Sequence, residues 1–395
     1  MKLAKYSVIA AAVVALGACG KKDAAPTGDA AHSATSGDHV VLIGHGGPLT
    51  GNQAHLGKDN ENGVRLAIED LNKDGVLIGG QKYTFELKSE DDQATPQTAT
   101  VVAQRLVDAK VAAVIGHMNS GTTIPASKIY AEAGIPQISP SATAVPYTNQ
   151  RFATTFRVIA NDLAQGKALG TYAAQTLHAK KVAIIDDRTA YGQGLADEFE
   201  KAAKANGVDI VQREFTTNQA TDFMAILTNV KAKKPDLIFY GGMDPQAAPM
   251  AQQMKKLGIA ARLIGGDGFQ DAAFLKNAGD AAEGQYASQP GLPKDKMPGF
   301  EAFNKRYQAR FNADIQIYGP FAYDAMMVLV EAMKRAGSTE PSKYLKEISK
   351  TDYNGITGHI TFDNKGDLKA GAVTIYQVKG GKWETVATVN AADSQ

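Results

Sequence analysis

The chain has 395 residues, enough for about two to three domains, with 44% hydrophobic and 21% charged residues. That is the make-up of an ordinary folded protein rather than a disordered or fibrous one. A formal charge of +1 gives no footprint for nucleic acid or acidic polymers, and the one cysteine, Cys19, excludes a disulfide framework.

In chain order, Lys2 and Lys5 precede an uncharged run over 6–18 that closes on Leu16-Gly17-Ala18-Cys19. The run is shorter than the ~20 apolar residues of a membrane span. It has instead the charged start, apolar middle and small-residue exit of an export signal. Cys19 stands at the lipid-acceptor position of bacterial lipoprotein signals, so the expectation is an exported protein leashed to a membrane by an N-terminal lipid alone. Residues 20–39, rich in Ala, Gly, Ser, Thr and Asp, read as a flexible tether.

From residue 40 the pattern alternates. Strands are expected over 40–44, 83–89, 112–116, 135–138 and 152–157, with helices over 59–72 and 96–108 and a short one after the strand at 112–116. A second series begins at Asp162, a candidate helix cap, with a helix to 177. It continues as strand 182–185, helix 192–206, strand 208–215, helix 222–232, strand 237–240, helix 246–257 and strand 262–266. This alternation predicts an α/β protein of two doubly wound parallel-sheet lobes. Helices over 298–311, 318–336 and 341–350 and strands over 360–362, 373–378 and 382–389 follow. If both lobes share this segment, the chain crosses between them near 158–162, 287–291 and 369–373, a three-strand hinge. Lobe 1 is then 40–159 plus 291–370, and lobe 2 is 160–290 plus 371–390.

Enzymatic signatures fail on inspection. The segment Gly51 to Asp59 has one residue too many between its glycines for a P-loop, and Asp59 where the metal-binding hydroxyl belongs. Leu49 replaces the last glycine of a dinucleotide fingerprint. The seven histidines show no metal-ligand spacing, and there is no G-x-S-x-G elbow. His117 reads as a support for its loop. Asp91-Asp92 and Asp186-Asp187 at strand ends read as capping groups, because neighbours on an extended chain point apart. Neither a metal nor a cofactor is called for.

What remains is a binding site. The strands at 112–116 and 135–138 each spill into a loop of small hydroxylated residues, Ser120-Gly121-Thr122-Thr123 and Ser139-Pro140-Ser141-Ala142-Thr143. In open α/β sheets ligands bind beyond the carboxyl ends of strands, and such donor-rich loops suit a carboxylate. The second series contributes Tyr191, Met243 and Asp267 at equivalent strand ends. Donors on one side and a lone anion on the other match the two charges of a free amino acid.

These residues carry a resemblance. In order come P-L-T-G, G-x5-G-V-R-L-A-I-E-D-L-N, V-I-G-H-x-x-S-x-x-T-x-P-A-S, S-P-S-A-T-A, D-x-x-x-Y-G-Q-G-L-A, F-Y-G-G, G-G-D-G and F-D-x-K-G-D-L-K. Residues 40–389 thus resemble the bacterial periplasmic binding proteins for leucine, isoleucine and valine, the type I solute-binding proteins of ABC importers. The resemblance implies that Ser120 and Thr143 hold a ligand carboxylate by hydroxyl and backbone N–H. The Ser141 carbonyl, the Thr143 hydroxyl and Asp267 would hold the ammonium, Tyr191 would close over it, and Met118 and Asn119 would flank it. It further implies a monomer in the periplasm that delivers a branched-chain amino acid to an inner-membrane ABC permease. A receptor of the same fold for an amide, a urea, an aromatic acid or another amino acid is the alternative. Two positions depart from the pattern. Leu56 stands where the leucine binders carry an aromatic residue, and Met243 where they carry tyrosine; both would form the side-chain end of the pocket and make it softer. The family's disulfide is absent as a pair, Ala94 and Asn119 standing in its place.

Overall fold

Apolar runs of four to six residues bounded by turn formers become the buried strands of two sheets, as the computed structural model shows for residues 39–390. The expected export signal with Cys19, and the tether up to residue 38, lie outside the described residues. His39, expected to end the tether, is the first residue of the first strand.

The first sheet contains β1 (His39–Gly47), β2 (Val76–Ile78), β3 (Gln81–Asp91), β4 (Ala113–Gly116), β5 (Gln137–Ser139) and β6 (Thr155–Arg157), in the spatial order β2-β3-β1-β4-β5-β6. Between them run α1 (Ala54–Asn72), α2 (Pro96–Asp108), α3 (Ser120–Glu132) and α4 (Pro146–Asn149). The sheet is parallel except for β2, which pairs antiparallel with β3 through a two-residue turn. Gly79 and Gly80 in that turn both have positive φ, +59° and +84°, as a tight hairpin requires. β2 was not expected from sequence: three residues are too few to show a period.

The second sheet contains β7 (Lys181–Asp186), β8 (Asp209–Phe215), β9 (Leu237–Gly241), β10 (Arg262–Gly265) and β11 (Tyr286–Gln289). With them run α5 (Asp162–Gln175), α6 (Ala190–Ala205), α7 (Met224–Ala232), α8 (Asp244–Lys256) and α9 (Ala272–Ala278). After α10 (Phe300–Phe311), α11 (Gly319–Ala336), α12 (Pro341–Ile348) and the small pair β12 (Asp352–Asn354) and β13 (His359–Thr361), the chain returns as β14 (Ala372–Lys379) and β15 (Lys382–Asn390). The order is β15-β14-β11-β10-β9-β7-β8. β14 and β15 form a hairpin about Gly380-Gly381, and β14 pairs antiparallel with β11, so this parallel sheet has an antiparallel edge.

The fold is thus two doubly wound α/β lobes with three connections between them: after β6 into α5, after β11 into α10, and before β14. Residues on both faces of each sheet are buried, as parallel strands covered by helices demand. α2 and α3 pack Val102, Leu106, Ala126 and Tyr130 onto one face of the first sheet. α7 and α8 pack Leu227, Ala247 and Met250 onto one face of the second. α11 lies along α1, so close that a Cβ on Gly63 would stand 2.1 Å from the Gly319 carbonyl oxygen. The C-terminal helices are thereby tied to the first lobe.

Two boundaries differ from expectation in ways that matter below. α1 starts at Ala54 rather than near 59, which puts Leu56 on a helix, not in a loop; the polar run Asn52-Gln53-Ala54-His55 hides the start. Asn161, not Asp162, caps α5, its Oδ1 accepting from the Ala164 amide at 3.2 Å.

Candidate ligand-binding site

In the first sheet β1 lies between β3 and β4, and in the second β7 lies between β8 and β9. These are the points where the winding reverses, and the crevice at the carboxyl ends of such strands is where open α/β sheets bind ligands. The chain leaves β4 through His117-Met118-Asn119 into α3, and β5 through Pro140 to Thr143. It leaves β7 through Asp187 to Ala190 into α6, and β9 through Gly242-Met243 into α8. The hydroxylated run after β4, expected as a loop, is the first turn of α3. Three helix N-termini therefore meet here, with Ser120, Tyr191 and Met243 at or beside their starts, and each carries the partial positive charge of its free amides.

Met118, Asn119, Ser120 and Ser141 from the first lobe, Tyr191, Met243 and Asp267 from the second, and Tyr318 line one small chamber. About 20 Å³ of it is open to the centre of a water-sized sphere, room for roughly one water. Asn119, Tyr191 and Met243 also border an adjoining cleft of about 440 Å³, with Gln53, Gly121 and Asp187 on its walls. Of the expected residues, Thr143 and Leu56 do not line the chamber. Thr143 is buried outside it, with a hydroxyl beside the Asp162 carboxylate, whose charged form it favours, and a carbonyl that accepts from the Asp162 amide at 2.9 Å. Leu56, in the first turn of α1, is fully buried in the core.

The first-lobe wall is stitched together. Ser141 Oγ donates to the Met118 carbonyl (2.9 Å) and accepts from Asn60 Nδ2 (2.8 Å). Ser120 Oγ accepts from the Ala144 amide (3.1 Å), which leaves its own O–H free to donate. His117, fully buried, bridges Asp92 Oδ2 (2.8 Å) and the Tyr130 hydroxyl (2.9 Å), so it supports the loop from behind. A Cβ on Gly46 would come within 2.5 Å of that ring, which is why β1 carries glycine there.

On the far wall, Asp267 is 1% exposed and, among the described residues, has no cation beside it. Its carboxylate accepts from the Tyr191 hydroxyl (3.0 Å), Gln165 Nε2 (3.0 Å) and the Tyr318 hydroxyl (2.7 Å). Burial pushes its pKa above the ordinary value, and these three donors hold it back. Burial, then the charge of Asp267, pushes Asp162 up to about 8. Both phenols are driven well above the usual range by burial, so they stay donors. A carboxylate has about four lone-pair sites; three are used, two on Oδ1 and one on Oδ2, and the residue lines the chamber. Glycines 266 and 268 let Tyr191 lie against this turn: a Cβ on either would meet the ring or its hydroxyl at 2.5–2.9 Å.

Tyr318 and Gln165 were not expected from sequence. Tyr318 comes from the start of α11, where Asp59 collects the amides of Ile317, Tyr318 and Gly319 on one oxygen (2.9, 2.7 and 3.0 Å). Tyr318 belongs to the segment packed on the first lobe and Asp267 to the second, so their hydrogen bond crosses the cleft.

With this geometry, the comparisons decide the family. The family described as Periplasmic binding protein matches residues 40–382. The chain belongs to it. A Leu/Ile/Val-binding protein homolog from Brucella suis biovar 1 is 35% identical over 345 residues, 87% of this chain and 90% of its own. A leucine-, isoleucine-, valine-, threonine- and alanine-binding protein from Pseudomonas aeruginosa is 31% identical over 86% of this chain and 90% of its own. Among solved structures, the branched-chain amino acid transporter substrate-binding protein LivJ of Streptococcus pneumoniae, in complex with isoleucine, superposes with a TM-score of 0.81. It is 29% identical and covers 89% of this chain and 99% of that one. Two α/β lobes facing each other across a cleft are the expected fold of this periplasmic binding protein.

Proposed function

We propose that this periplasmic binding protein captures a free amino acid, branched-chain first, and delivers it to an ABC permease in the inner membrane. The observation that carries the reading is Asp267: a buried carboxylate that lines the chamber with three neutral donors and, among the described residues, no cation. Opposite it stand the N-terminus of α3 and the free Ser120 hydroxyl. An α-carboxylate fits the helix end and an α-ammonium completes Asp267. Ser120 and Thr143 take the carboxylate; the Ser141 carbonyl, the Thr143 hydroxyl and Asp267 take the ammonium; Tyr191 and Tyr318 close over it.

Room for about one water is too little for a leucine, so the lobes part to admit it and close on it. The lobes are taken as 40–159 plus 291–370 and 160–290 plus 371–390. The ligand side chain points past Asn119 and Met243 into the adjoining cleft. The working state is a monomer in the periplasm, held to a membrane through lipidated Cys19, and it performs no catalysis.

One observation favours a second reading within the same site. Asp187 lines the cleft, and its buried Oδ2 makes no hydrogen bond, so a side chain with its own donor would find a partner there. A thermal-shift screen of amino acids, amides, ureas and aromatic acids ranks the ligands. Asp267→Ala weakens binding of the best amino acid at least tenfold by calorimetry. Removing one partner of a buried charge pair costs about 2–5 kcal/mol, because the other charge is left unpaired. An unchanged affinity would sink the assignment.

A further inference from the structure

Outside the chamber, three ligating side chains from different parts of the chain converge. His55 lies in the first turn of α1 on the first lobe; Asp244 opens α8 and Asp271 caps α9 on the second. His55 Nε2 is 3.3 Å from Asp244 Oδ1 and 3.3 Å from Asp271 Oδ2, and the three ligating atoms lie within 4.8 Å of one another. Both aspartates are buried. Asp244 is 1% exposed, and among the described residues its Oδ1 has no neighbouring donor except the His55 ring, so the atom is aimed into the cluster.

Against its burial, the two carboxylates raise the His55 ring to about 10, so without a cation it is an imidazolium between them, but the distances are long for that pairing. Charge-assisted N–H···O bonds are about 2.7–2.9 Å long, and one Nε2–H can point at only one acceptor. A separation of 3.3 Å is instead the edge of a tetrahedron whose centre stands about 2.0–2.1 Å from its corners, the distance at which zinc takes histidine nitrogen and carboxylate oxygen.

We propose that His55, Asp244 and Asp271 bind a divalent transition-metal cation, zinc by ligand type, as a bridge between the lobes. A neutral imidazole and two carboxylates balance its charge. Asp271 Oδ1 accepts the Phe274 amide at 2.7 Å, which turns Oδ2 toward His55 and fixes it from behind. The His55 side chain is 26% exposed, so one side of the site is open to a water as fourth ligand, the arrangement of zinc sites with three protein ligands. One ligand comes from the first lobe and two from the second, so the site is whole only when the lobes are closed. Zinc and the amino acid then favour the same state, and each raises the affinity for the other by the same factor. That coupling rests on the chamber being the amino-acid site; metal binding itself does not.

The experiment is calorimetry of the untagged full chain, stripped with chelator, titrated with zinc chloride with and without saturating L-leucine. The expected result is one zinc per chain, bound at least fivefold more tightly with leucine present. His55→Gln and Asp244→Asn, shown to be folded by circular dichroism, each weaken zinc at least tenfold; these variants also separate this site from any zinc taken up at Cys19. No stoichiometric uptake, or uptake unchanged in both variants, overturns the proposal, and His55 is then an imidazolium between two carboxylates. Zinc affinity indifferent to leucine, where leucine binds, overturns the bridging. If leucine does not bind while zinc uptake still depends on His55, the chamber reading fails and the metal site stands.

Discussion

Asp267 is held in a state that an ammonium would relieve. Its pKa is raised by burial and no cation among the described residues offsets that, so in the empty site it keeps a proton to higher pH than an ordinary aspartate. A bound ammonium needs the carboxylate ionised and pulls the pKa back down. The sign follows: ligand affinity is full above the raised pKa and falls as pH drops through it, and binding near that pH releases a proton. Calorimetry across pH in two buffers of different ionisation heat measures this; an affinity that stays flat as pH falls from neutral to the ordinary aspartate range, with no proton released, contradicts it. Asp267 was legible in sequence because it ends a strand in a glycine-rich turn. Its partner Tyr318 was not: it is 51 residues away, at the start of a helix whose apolar stripe reads as core, and only folding brings it to the cleft. Leu56 was misplaced for a local reason, a helix beginning inside a polar run.

At the scale of elements, the wall that carries Ser141 and Thr143 depends on one buried cation. Arg157, at the end of β6 and 0% exposed, donates to the carbonyls of Ala142 (2.8 Å) and Ala144 (3.0 Å) and to Thr148 Oγ1 (2.9 Å). Its Nε pairs with Asp367 Oδ1 at 2.5 Å. The loop after β5, the end of β6 and the turn before β14 are thereby locked together next to two of the connections between the lobes. Arg157→Met takes the cation from Asp367, which keeps, among the described residues, only the neutral donors Thr148 and Asn161, and strips the Ala142 carbonyl of its guanidinium donor. It destabilises the fold by about 3–5 kcal/mol, which urea unfolding would show as a lower midpoint at unchanged slope. A loss under about 1 kcal/mol would mean that water replaces the guanidinium. The strand–helix alternation was readable from apolar runs and turn residues, and so was the placing of site residues at strand ends. The antiparallel β2 was too short to read. The hydroxylated run after β4 read as a loop because serine, glycine and threonines favour one locally, yet it winds into α3 against the buried face of β4 and β5.

At the scale of the molecule, the proposed function requires two lobes that close. The hydrogen bond from Tyr318 to Asp267 crosses the cleft, and a chamber with room for about one water cannot take up or release an amino acid without opening. Small-angle scattering of the chain alone and with saturating leucine gives a smaller radius of gyration with ligand; superimposable profiles contradict hinge closure. The two-lobed plan followed from two series of alternating elements and a C-terminal segment that extends neither. The His55–Asp244–Asp271 cluster could not be foreseen, since no spacing along the chain hints at it. The central claim is that the chamber reads the ammonium of an amino acid through Asp267. Calorimetry of L-leucine against 4-methylpentanoate, the same skeleton without the ammonium, tests it most directly. The account predicts that leucine binds at least a hundredfold more tightly, and that Asp267→Asn removes most of the difference. Equal affinities for the two ligands would contradict it.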